Sequence, residues 1–86
     1  MDLRALTSLR VLNLERNGLE TLQASGSSLT HLHLRWNCLS TLRGAVNPSP
    51  AALRIFEADH NELVDLPDWL SDCLRLGGVM IIIYGL

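Results

Sequence analysis

The sequence has few of the features that mark several common classes of protein. Its two cysteines, Cys38 and Cys73, do not resemble the paired cysteines that seal the ends of many extracellular repeat proteins, so a reducing compartment is expected. Seven basic and nine acidic residues give a formal charge of -2, without the clustered basic excess that a nucleic-acid surface requires. Residues 1–7 contain no apolar run suited to a secretory signal, and the longest run, Val79 to Tyr84, is far shorter than the roughly 20 residues of a membrane-spanning helix. We therefore expect a cytoplasmic protein that binds no nucleic acid and does not span a membrane.

The sequence also lacks the short motifs that carry common catalytic chemistry. It has no G-x-S-x-G elbow, no Cys-His pair with an orienting third group, and no glycine-rich loop for phosphate. Cys38 has no evident activating neighbour, and Cys73 is expected to pack as a small apolar group. We therefore expect no catalytic residue and no cofactor in this chain.

A pattern of leucines that occurs three times organises the sequence. The segments Leu9–Leu22 and Leu29–Leu42 share every leucine and one asparagine in register, and Leu53–Leu66 repeats the pattern with Phe56 and Ala58 at two leucine positions. All three fit the leucine-rich repeat pattern L-x-x-L-x-L-x-x-N-x-L. The shared asparagines are Asn17, Asn37 and Asn61. Because an amide side chain both donates and accepts, we expect these asparagines to bond to the backbone of the turns and to form a ladder.

This pattern predicts an α/β solenoid of three full leucine-rich repeats and a partial fourth, with a parallel β-sheet on the concave face and loops and short helical turns on the convex face. The chain is expected to be a single segment, with repeats at about 9–28, 29–52, 53–75 and 76–86. Solenoids normally close their ends with polar-faced units, and no such unit is recognisable here. We therefore expect a fragment of a longer array.

The sequence makes a more specific prediction for two segments, the one after Pro67 and the last eleven residues. After Pro67, apolar residues at helical spacing indicate one or two helical turns on the convex side. These residues are Trp69, Leu70, Cys73 and Leu74. The last eleven residues fit the template with Leu76 aligned on Leu53, except that Tyr84 stands where asparagine belongs, so they can pair as a fourth strand.

Residues between the buried leucines are expected to align in columns across the concave face, because parallel strands in register place equivalent positions side by side. The columns contain Val11, His31 and Ile55; Asn13, His33 and Glu57; Glu15, Arg35 and Asp59; and Arg16, Trp36 and His60. Tryptophan and arginine are enriched at interface hot spots, so this surface is predicted to bind a protein. The predicted partner-binding residues are Asn13, Glu15, Arg16, His31, His33, Arg35, Trp36, Glu57, Asp59 and His60.

Two alternative interpretations apply to the same residues. The side chains can simply solvate the sheet, with Arg35 paired to Glu15 and Asp59. Histidines and carboxylates also have the chemistry of a zinc site. The residues concerned are His31, His33, Glu57, Asp59 and His60. Their spacing follows automatically from the repeat, so no metal site is expected.

Three segments resemble the leucine-rich-repeat region of the PH-domain leucine-rich-repeat protein phosphatases: residues 12–19, the turn after Asn37, and residues 56–70 with their Leu-Pro-acid-Trp sequence. The resemblance covers roughly residues 9–79 and fades after Gly77. It implies a cytosolic signalling protein with a separate metal-dependent phosphatase domain that acts on phosphoserine and phosphothreonine, including those of kinases of the Akt and protein kinase C type. None of that domain is present, so no catalytic or metal-binding residue is carried over.

The leading hypothesis is therefore a protein–protein interaction module of an intracellular signalling protein, with no enzymatic activity in this chain. Its partner is a protein, and the resemblance implies a kinase substrate. The alternatives are that the repeats belong to a full-length metal-dependent phosphatase whose catalytic domain lies elsewhere, or to an unrelated leucine-rich-repeat scaffold or receptor. The sequence leaves the oligomeric state open.

Overall fold

The computed structural model of the chain describes residues 1–76 and 80–82. In chain order these residues form β1 (Asp2–Leu3), β2 (Val11–Asn13), β3 (Gln23–Ala24), β4 (His31–His33), β5 (Ile55–Glu57), α1 (Leu70–Leu76) and β6 (Met80–Ile82). The strands β2, β4, β5 and β6 form a parallel sheet in that order, and β1 and β3 form a second parallel sheet.

The first three strands of the larger sheet pair at the offsets that the leucine pattern sets. Leu12 lies opposite Leu32, and Leu32 lies opposite Phe56. These central side chains are buried, while their neighbours on either side are partly or fully exposed. One face of the sheet therefore forms the core, and the other, the outer face, meets solvent.

The strand β6 pairs with β5 in a register that differs from the sequence prediction. The template places Val79 beside Phe56, whereas Ile81 is the residue opposite Phe56. A shift of two residues leaves each side chain on the same face of a strand, so the alternating pattern alone cannot distinguish the two registers. The predicted strand positions at 77–79 and 83–86, which include Tyr84, lie outside the described residues.

The two sheets and the helix share one core. The smaller sheet is extended by a bridge between Ala24 and Val46, both buried. Residues just before and within α1 complete the packing, and the ring of Trp69 lies 5.2 Å from that of Phe56. The buried apolar residues are Leu12, Leu22, Ala24, Leu29, Leu32, Leu34, Leu39, Leu42, Ala45, Val46, Leu53, Phe56, Ala58, Leu63, Trp69, Leu70 and Cys73.

The predicted α/β solenoid is wrong. The described residues form a small compact globule of 27 × 26 × 18 Å, with two short parallel sheets, one short helix and no evident succession of repeat units. Its radius of gyration is 11.5 Å, and a globular chain of this length is expected at about 12 Å. The physical reason is that spacing fixes which strands pair but not the overall shape. The smaller sheet and the segment before α1 pack onto the same core as the larger sheet, so an elongated arc with concave and convex faces does not form.

Candidate functional site

The outer face of the larger sheet brings two of the predicted columns together. Val11, His31 and Ile55 are direct neighbours across β2, β4 and β5, and the next column does the same with Asn13, His33 and Glu57. In the second column, His33 Nδ1 and Glu57 Oε1 form a hydrogen bond. In the first, His31 Nδ1 lies 2.8 Å from the hydroxyl of Thr30.

The third column is organised by Arg35. Its Nε donates a hydrogen bond of 3.0 Å to Oδ2 of Asp59 and lies 2.9 Å from Oδ1, off the line of a good hydrogen bond. Its guanidinium also lies 3.6 Å from Glu57. Asp59 is only 1% exposed, and a buried carboxylate is tolerated when a cation pairs with it. The predicted Arg35–Asp59 pair is therefore present, whereas the predicted pair with Glu15 is absent among the described contacts.

The fourth column forms a stack that crosses three turns. The rings of Trp36 and His60 lie 3.8 Å apart and are almost parallel, at 3°. The guanidinium carbon of Arg16 lies 5.1 Å from the centre of the Trp36 ring. The geometry is that of a cation–π contact followed by an aromatic stack. The spacing predicts the column, but not that its members touch.

All three members of this stack have left-handed backbone, with φ of 60° at Arg16, 60° at Trp36 and 58° at His60. Side chains other than glycine adopt this conformation at a cost of roughly 1–2 kcal/mol each. The same turn conformation at each level gives the three side chains a common direction, which places them in one stack.

The turns that carry the stack are held by the side chains of buried Asn37 and partly buried Asn61. Asn37 Oδ1 accepts hydrogen bonds from the amides of Asn17 and Leu19 at 3.1 and 3.0 Å, and its Nδ2 donates to the carbonyls of Leu14 and Leu34 at 2.9 and 3.0 Å. One level on, Asn61 repeats the arrangement. It accepts from the amide of Leu39 at 3.1 Å and donates to the carbonyls of Leu34 and Ala58 at 2.8 and 3.1 Å. The expected asparagine ladder is thus present.

A group of metal-ligating atoms also converges on the outer face. One ligand atom each from Glu15, His33 and Glu57 lies within 4.8 Å of the others, and all three residues are partly buried. This set shares only His33 and Glu57 with the five residues considered from the sequence. Asp59 is instead paired with Arg35, and His60 stacks on Trp36.

The cysteines lie away from this face in different environments. Cys38 is exposed, and Cys73 is buried with its Sγ 3.6 Å from the carbonyl of Pro50. Burial raises the pKa of the Cys73 thiol above its usual value, and the charge of Asp72 raises it further. This thiol therefore packs as an apolar group and has little nucleophilic character at neutral pH.

Comparison with known proteins relates the chain to part of a larger protein. The chain is 30% identical over 80 residues to the protein phosphatase PHLPP-like protein of Drosophila melanogaster. The match covers 92% of this chain but only 8% of that protein. No family model and no solved structure matches the chain.

Within the described residues, no helix is long and apolar enough to cross a membrane. By its sequence, the chain is similar to a small part of a protein phosphatase.

Proposed function

We propose that this chain is a protein-interaction segment of a cytoplasmic signalling protein related to the PH-domain leucine-rich-repeat protein phosphatases. The relationship is supported by the similarity over 80 residues to the Drosophila protein. The chain itself supplies recognition and no catalysis, and the family resemblance makes a kinase substrate the expected class of partner.

The observation that carries the proposal is the stack of Arg16, Trp36 and His60 on the surface. Trp36 is 45% exposed although it is stacked on one neighbour and covered by another. An aromatic side chain held in one orientation loses little conformational entropy on binding, and tryptophan and arginine are enriched among interface hot spots. The stack borders the ion pairs of Arg35 with Asp59 and Glu57, which offer a polar rim beside an apolar centre.

The test is quantitative capture from cytoplasmic extract by the immobilised chain, read by mass spectrometry. Wild type is compared with Trp36→Ala, Arg35→Glu and Val64→Ala. Val64 is an exposed apolar residue outside the predicted face, so its variant is the matched control for loss of exposed apolar area. We expect a protein retained by wild type and Val64→Ala to bind Trp36→Ala at least about 10-fold more weakly, as for a hot-spot tryptophan.

Folding of each variant is checked by circular dichroism, because Arg35→Glu also leaves buried Asp59 without its partner. Identical capture by wild type, Trp36→Ala and Arg35→Glu would reject the proposed binding surface.

A second candidate concerns the parent protein and is favoured by the same similarity. In this view the segment positions a phosphatase domain elsewhere in the polypeptide and contacts no substrate. Sequencing the transcript around this segment separates the alternatives. A PH domain upstream and a phosphatase domain downstream support the phosphatase parent, whereas a signal peptide upstream favours a receptor.

A further inference from the structure

The strands of the larger sheet place two carboxylates and one imidazole at a single point on the outer face. His33 and Glu57 are directly opposite residues of β4 and β5. Glu15 follows β2 by two residues, and the parallel pairing continues there, since the amide of Leu14 donates to the carbonyl of His33 at 2.9 Å. His33 and Glu57 therefore stand on neighbouring strands and Glu15 just beyond a third, and backbone hydrogen bonds hold all three segments in place, which is the rigid support that a binding site needs.

The charges at this point are incompletely balanced. Arg35 directs its guanidinium to Asp59 and Glu57. Across residues 1–76 and 80–82, the Glu15 carboxylate forms no ion pair and accepts no hydrogen bond. The Arg35 guanidinium lies near Glu57 but not near Glu15, so the repulsion between the two carboxylates is only partly offset. A cation bound between them would remove that repulsion.

We infer that Glu15, His33 and Glu57 form a binding site for a divalent transition-metal ion of the zinc class. Imidazole nitrogen with carboxylate oxygen suits zinc, whereas magnesium and calcium prefer oxygen ligands alone. Two atoms that ligate one tetrahedral zinc ion at about 2.1 Å lie about 3.4 Å apart, so ligand atoms within 4.8 Å of one another require at most about 1.4 Å of closure. Side-chain rotation of the partly buried carboxylates supplies that closure.

Three protein ligands leave the fourth coordination position of zinc free for water. Water can reach that position, because the His33 and Glu57 side chains are still 20% and 16% exposed. The site is distinct from the Arg16–Trp36–His60 stack, and it does not depend on the proposed interaction function.

The test is titration of the metal-free full chain with ZnCl₂ by calorimetry and with CoCl₂ by visible absorption. We expect one ion per chain and cobalt d–d bands typical of four or five ligands. Glu15→Gln and His33→Asn should each weaken binding more than about 100-fold, which is the upper end of what loss of a supporting group causes. Glu15→Gln is the cleaner variant, because the Glu15 side chain has no described partner whose loss would disturb the fold.

Two control variants distinguish this site from other metal-binding groups. Cys38→Ser removes the exposed thiol, and Glu20→Gln removes an exposed carboxylate outside the cluster. Both should bind zinc as wild type does. The inference is overturned if wild type binds no zinc, if Glu15→Gln and His33→Asn bind unchanged, or if Cys38→Ser abolishes binding.

Discussion

Asn37 has the largest structural role of any single polar side chain described above. It is 6% exposed and satisfies two backbone amides and two backbone carbonyls of neighbouring turns. Asn17 has the equivalent position in the preceding motif, but it is exposed and its side chain donates one hydrogen bond, to the carbonyl of Glu15 at 3.0 Å. The same residue type therefore contributes differently at the edge of the ladder and inside it.

We predict that Asn37→Ala lowers the free energy of unfolding by about 2–4 kcal/mol, because it leaves buried backbone groups without partners. Asn17→Ala should cost less than about 1 kcal/mol, because water replaces its single exposed bond. Urea denaturation followed by circular dichroism measures both values. Equal losses in the two variants would contradict the assignment of Asn37 as the central member of the ladder.

Residue chemistry also explains how much of the site could be predicted from the sequence. The leucine spacing correctly aligns Asn13, His33 and Glu57, because buried positions fix strand register. It offers Arg35 both Glu15 and Asp59 as partners but does not decide between them, since that choice depends on side-chain rotamers and on which carboxylate is buried. The contact between Trp36 and His60 is likewise set by the backbone conformation of the turns, which the alignment of the repeated motifs does not describe.

At the scale of the elements, the turn after β3 depends on a close approach between the backbone of Gly26 and that of residues 48–50. A Cβ atom added at Gly26 would lie 2.2 Å from the carbonyl oxygen of Pro48 and 2.7 Å from the nitrogen of Pro50. The amide of Gly26 donates to that same carbonyl at 3.1 Å. The smaller sheet is thereby joined to the loop that precedes β5, which fixes the two segments against each other.

Gly26→Ala should therefore destabilise the chain by about 1–3 kcal/mol, as overpacking against a backbone that cannot move aside does. Gly18→Ala is the control, because its φ of +64° is strained for alanine while no atom lies within 4 Å of the added Cβ. It should cost about 1 kcal/mol from backbone strain alone. Thermal unfolding compares the two, and a smaller loss for Gly26→Ala than for Gly18→Ala would argue against the close packing.

For the strands, the sequence predicts which strands pair better than it predicts the exact register of each pair. The offsets that join β2, β4 and β5 follow from fully buried residues such as Leu32 and Phe56, which have no alternative place. The predicted register of β6 differs by two residues from the register in the structure. The alternating pattern cannot distinguish the two, because a shift of two residues keeps each side chain on the same face. Periodicity therefore determines which face a residue occupies, and additional contacts determine which neighbour it meets.

For the whole molecule, the compact shape makes the core common to all elements rather than a succession of separate layers. The strand β4 lies between β2 and β5, and its central residue Leu32 and the residue after it, Leu34, are fully buried. The smaller sheet has only two strands of two residues each, and its residues Asp2 and Gln23 are exposed. Stability should therefore be highest around β4 and lowest in the smaller sheet.

Amide hydrogen exchange measured by NMR tests this gradient. The amide of Leu34 donates to the carbonyl of Glu57 at 2.8 Å, and that of Gln23 donates to Met1 at 2.9 Å, so the two hydrogen bonds have similar lengths. Any difference in protection then reports burial and cooperative opening. We expect Leu34 to have a protection factor at least about 10-fold greater than Gln23, which is about 1.4 kcal/mol in opening free energy. If Gln23 were as protected as Leu34, the smaller sheet would open only with the entire globule, and the core would be a single cooperative unit.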